Sequence, residues 1–159
     1  MWLLVFVHAG GTVNAALTYL RPPNQALRAN MDYSVGFYEP EDDSSFRWTR
    51  QRAVAVVVAV KPWIELTVRA SHAVPTEPVD VKVWVNQKLA LRMQLASADP
   101  ITRYFPAGDG GKRVMLETWV SRVDRPRERR QDDPRDLGLL VRWDFVDAPP
   151  GNAAIDKIH

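Results

Sequence analysis

Trp63, Trp84 and Trp119 each fall on the polar side of an alternating segment. Trp63 is in phase with Glu65 and Thr67, Trp84 with Asp80 and Lys82, and Trp119 with Arg113 and Glu117. Tryptophan usually buries most of its ring, so three rings on polar faces stand out. Such rings can stack on sugar faces while neighbouring Asp, Arg or Asn side chains bond the hydroxyls. They can equally cover the sheet beneath loops or dock another domain, the commoner fate of exposed apolar area. Trp143, in phase with Leu139 and Val141, reads as core.

Other residue types offer less chemistry. His8, His72 and His159 lie far apart, with no carboxylate or second histidine at ligand spacing, so neither a metal site nor a Ser-His pair is indicated. The chain has no cysteine, which removes disulfides, thiolate ligands and a thiol nucleophile together. No Gly-x-Ser-x-Gly elbow or phosphate-binding glycine loop is present. Glu39, Glu41, Asp42 and Asp43 match no calcium loop and read as a solvated turn. Glu39 or Glu41 with Asp136 is the only carboxylate pairing worth inspecting for acid–base work. No cofactor, metal site or catalytic constellation is therefore expected.

Charge narrows the partner class. The pI is about 9.1, yet from Asp32 to Pro150 basic and acidic residues are equal in number. Nucleic-acid binding needs a clustered positive footprint, and that class is set aside. Between Asp124 and Asp136 five arginines face five carboxylates. A mixed-sign run of this kind reads as a solvated loop.

The elements that would position these residues are strands. From Ser45 onward the hydrophobic period is two. Ser45 to Thr49 is a short strand, and the apolar run Ala53 to Val60 suggests a central strand covered on both faces. Trp63 to Ala70 alternates cleanly, as do Val79 to Val85 and Val114 to Val120. Asn86-Gln87 is expected to turn the chain into Leu89, Leu91 and Met93. Ile101 to Phe105, bounded by Pro100 and Pro106, suits an edge strand. Leu137 to Val146 closes the set. The expected fold is all-β: an antiparallel β-sandwich or jelly roll of about eight strands over 36–148, with a disordered tail over 149–159.

Ahead of that domain, residues 1–20 contain no charged side chain. At about 20 residues the segment just suffices for a membrane span. A signal peptide ending at Val13-Asn14-Ala15 and a buried helix are the other readings. The span is the one carried forward, with 21–35 as linker because Arg21-Pro22-Pro23 stops the helix.

Four short stretches carry a resemblance: Gly36-Phe37-Tyr38 with Glu41, then Phe46-Arg47-Trp48-Thr49, followed by Val83-x-Val85-Asn86 and Asp136-Leu137-Gly138. This pattern resembles the C-terminal extracytoplasmic β-sandwich of bacterial polytopic membrane proteins, the lipid-linked-sugar glycosyltransferases. The Asp-x-Arg-x-Leu-Gly form of the late motif is met when counted from Asp133. The resemblance implies a carbohydrate-binding-like fold, a membrane setting, and residues 1–20 as the final span of a longer parent. It also implies an extracytoplasmic domain, whereas Arg21 and Arg28 alone would hold the domain in the cytoplasm.

The expectation is thus a non-catalytic, membrane-tethered module that binds glycan or a partner protein, with Trp63, Trp84 and Trp119 as contact rings. The alternative is a single-span structural accessory subunit of a membrane complex with no small ligand. Arg47 is expected to latch the first strand by pairing with Glu41 or Asp136, because an unpaired half-buried charge is costly.

Overall fold

The computed structural model describes residues 31–40, 46–71, 78–108, 110–151 and 153. The expected span over 1–20, Glu41 and most of the tail lie outside the described residues. Among the described residues no helix is long and apolar enough to cross a membrane.

Eight antiparallel strands form a nearly closed sheet: β1 Met31–Phe37, β2 Arg47–Val58, β3 Trp63–Ala70, β4 Val79–Val85, β5 Lys88–Leu95, β6 Ile101–Pro106, β7 Arg113–Val120 and β8 Leu139–Val146. The order is β5-β4-β7-β2-β8-β3-β6, with β1 beside β2. Alternation drives the layering. On β4, Val79, Val81, Val83 and Val85 are buried while Asp80, Lys82 and Trp84 stay partly exposed. The inner faces of β2, β3, β7 and β8 meet this row through Ala55, Val57, Ile64, Val68, Val114 and Leu139, all nearly inaccessible. Each large aliphatic side chain among them contributes about 1.5–3 kcal/mol by leaving water.

β2 belongs to both layers. Arg47 and Trp48 pair with Val141 and Leu140 of β8, whereas Arg52 to Val58 pair with β7. Between them Arg50, Gln51 and Arg52 are exposed, and the strand bends there from one layer into the other. Strands that change layers do so at such bends. The two segments read from sequence as separate strands are therefore one.

The apolar run at 53–60 is not covered on both faces. Ala53, Ala55, Val57 and Ala59 are buried, but Val54, Val56 and Val58 remain partly exposed and Val60 is 53% exposed. A two-layer fold offers the strand only one packed side. β1 begins at Met31, inside the stretch read as linker. Trp63–Ala70 and Val79–Val85 coincide with the expected strands, and β6 lies at the sheet's edge.

Asn86 and Gln87 carry φ of 50° and 68°, the paired left-handed values that match a two-residue hairpin to strand twist. Asn86 also bonds the next strand over: its amide donates to the Met115 carbonyl and its Oδ1 accepts from the Met115 amide. The charged run at 124–136 is exposed but ordered. A bridge joins Asp124 to Leu137, a 3-10 turn spans Pro126–Arg129 with Pro126 buried, and Arg129 clamps Asp124 at 2.7 Å.

Candidate functional site

The strand registers decide which tryptophans meet. Trp84 on β4 lies opposite Glu117 of β7, and Trp119 of β7 lies opposite Lys82 of β4. The two rings are thus diagonal neighbours on the outer face of adjacent strands, a separation of roughly 7–8 Å that large aromatic side chains can span. Both are partly exposed. They flank an open groove of about 600 Å³ whose walls also include Arg52, Lys82, Gln87 and Glu117.

Trp63 does not join them. It pairs with Pro106 and Val146 in the other layer. The face around it is already engaged: the Tyr104 hydroxyl donates to Glu65 at 2.9 Å, and Thr67 and Thr102 share a hydrogen bond of the same length. That bond to Glu65 raises the Tyr104 pKa, with burial and the carboxylate's charge acting in the same direction.

Within the groove the polar groups are arranged by strand register. Arg52 sits opposite Trp119 and donates through Nε to Glu117 Oε1 at 2.8 Å. Glu117 is largely covered, while Arg52 remains open to solvent. The Lys82 ammonium lies 4.9 Å from the centre of the Trp119 ring. At an exposed site that contact stabilises by about 0.5–1 kcal/mol, little enough for a stacking ligand to displace it. The chemistry offered is two aromatic faces with donors and acceptors at their rims. The Trp parity was legible from sequence; Arg52 was not, because its place in the groove depends on the bend of β2.

Three of the quoted motif stretches, around Tyr38, Thr49 and Asp136, meet at the bend itself, whereas Val83, Val85 and Asn86 lie on β4 and its turn. The Tyr38 amide donates to the Trp48 carbonyl. The Tyr38 hydroxyl donates to the Asp136 carbonyl at 3.2 Å and lies 3.1 Å from the Asp136 amide. The Gly138 amide donates to the Thr49 carbonyl and the Leu139 amide to Thr49 Oγ1. Phe37 meets Trp143 edge-on at 5.4 Å. Arg50 and Arg135 both lie against the Tyr38 ring, and Arg135 in turn holds Asp133, whose pKa its hydrogen bonds lower.

Arg47 and Asp136 are not partners in this cluster. Asp136 accepts from Arg127 at 2.9 Å and lies 3.5 Å from Arg125. Arg47 is 1% exposed, opposite the core residue Val141, and its Nε and Nη1 have no hydrogen-bond partner among the described residues. Burial lowers its pKa, opposed by the charge of Glu39. Glu39 itself is exposed, Asp136 is held by arginines, and Glu41 lies outside the described residues.

A smaller pocket of about 280 Å³ lies beside the 3-10 turn, where Ser71 donates to Asp124. Arg129 holds both oxygens of the same carboxylate, so that wall of the pocket is already engaged by its own chain. Among the described residues no group of three or more potential ligand side chains could hold a metal ion. No family model and no curated protein matches this chain.

Proposed function

We propose that this chain is a non-catalytic β-sandwich module that binds glycan on the outer face of β4 and β7, tethered beside a bacterial membrane glycosyltransferase on the extracytoplasmic side. The observation that carries the binding is the pairing of Trp84 and Trp119 across one open groove rimmed by Arg52, Lys82, Gln87 and Glu117. Partly exposed rings with few rotatable bonds give stacking area at low entropic cost, and the rim supplies hydrogen bonds that select hydroxyl geometry. The strand order, β5-β4-β7-β2 facing β2-β8-β3-β6, supports reading the fold as a jelly roll, an architecture common among lectin-type domains. The membrane setting and the parent enzyme rest on the motif resemblance and the apolar 1–20 segment.

A glycan array followed by calorimetry on the full chain tests this. Binding is expected to quench tryptophan fluorescence, and Trp84→Ala or Trp119→Ala is expected to weaken it by about tenfold or more. Trp63→Ala is expected to leave it unchanged. Equal affinity in all three variants sinks the groove as the site.

A further inference from the structure

One row of side chains crosses the same face. Arg92 of β5 lies opposite Lys82 of β4, Lys82 opposite Trp119 of β7, and Trp119 opposite Arg52 of β2. Three of the four are cations. Arg52 is answered by Glu117. Lys82 and Arg92, directly opposed on neighbouring strands, have no carboxylate partner among the described residues; the contact recorded for Lys82 is the Trp119 ring. The nearest acid on β4, Asp80, accepts instead from Gln94 at 2.9 Å. Like charges placed directly opposite one another destabilise a strand pair, and neither cation forms an ion pair among the described residues.

Resting on the glycan reading of this groove, we infer that its ligand is an anionic saccharide, one whose ring carries a carboxylate or phosphate. The ring stacks on Trp119 and Trp84, and the anionic group is received between Lys82 and Arg92. Lys82 swings from the Trp119 face to make this pair, freeing the ring it covers. Its flexible stem allows the movement, and a charge-assisted hydrogen bond to an anion is stronger than the exposed contact it leaves. Arg92, with a planar fork, suits either acid group. A neutral sugar uses the rings and the rim's hydrogen bonds but brings no charge to Lys82 and Arg92.

The test uses the full chain and an array in which every acidic saccharide is matched by its neutral counterpart: oligogalacturonate with its methyl ester, and sugar phosphates with the parent sugars. Polyglutamate and inorganic phosphate serve as anions without a sugar ring. Acidic members are expected to bind about tenfold tighter than their neutral counterparts at low salt, with the margin shrinking as salt rises. Lys82→Gln and Arg92→Gln are each expected to reduce that margin, and Arg92→Gln, whose position does not line the groove, is expected to leave neutral binding intact; circular dichroism confirms the fold. If neutral members bind as tightly as acidic ones, the inference fails while the glycan reading stands. If no saccharide binds, both fall. If polyglutamate or phosphate displaces the acidic saccharides at equal concentration, or their binding survives Trp119→Ala, the face is a bare anion patch and the inference is overturned.

Discussion

Arg47 is the largest fully buried side chain among the described residues, and two of its guanidinium nitrogens are unsatisfied. From sequence, a half-buried arginine near an acidic turn suggests an ion pair. The pairing with Asp136 does not form because the 3-10 turn brings Arg127 to that carboxylate. Each buried donor left unmade costs about 1–3 kcal/mol, and even a paired buried ion replaced together with its partner by apolar side chains of similar volume is often neutral or stabilising by about 1–4 kcal/mol. Arg47→Met is therefore expected to raise the unfolding free energy by about 1–2 kcal/mol, read from urea midpoints. A loss of stability in that variant would show that the guanidinium is compensated in the folded chain.

At the scale of elements, β2 explains why two separated glycines belong to one motif. Gly36 has φ of 79°, and a Cβ there would overlap the Arg52 carbonyl oxygen and lie 2.9 Å from the Ala53 Cα. From the other side, a Cβ on Gly138 would overlap the Arg50 carbonyl oxygen and lie 2.7 Å from Thr49 Oγ1. The two glycines let neighbouring backbone close on both flanks of the bend. Gly36→Ala and Gly138→Ala are each expected to cost about 2–4 kcal/mol by thermal or urea unfolding, since backbone must shift and, at Gly36, a left-handed conformation is strained as well. Gly151→Ala, with open space around it, is the control and is expected to be neutral. Alternation identified the strands because it is local. The bend escaped that reading, since Arg50-Gln51-Arg52 resembles a loop between two strands until β7 and β8 are seen to pair on either side of it.

For the whole molecule, the contacts that define the fold join distant stretches. Tyr38 and Asp136, bonded at the bend, are 98 residues apart, and β2 pairs with β7 and β8 rather than with β3. Closing such loops before their contacts form makes folding slow, so refolding from urea is expected in milliseconds to seconds by stopped-flow fluorescence. Microsecond relaxation would mean that local structure, not this long-range pairing, limits the rate. The same non-locality limited what could be read of the site. The polar-face placement of Trp84 and Trp119 was visible in each segment alone, whereas the exclusion of Trp63 required knowing that β3 lies in the other layer.

The sequence by itself determined the all-β class, the Asn86-Gln87 turn and most strand limits, because side-chain alternation and turn conformation depend on residues close along the chain. It also singled out the glycine, tyrosine, threonine and aspartate stretches that converge at the bend. Only the tertiary structure decided which of three tryptophans share a groove, which carboxylate each arginine meets, and that Lys82 and Arg92 face one another unanswered among the described residues. Those are outcomes of strand register between segments often tens of residues apart, and alternation within one strand does not specify its neighbour.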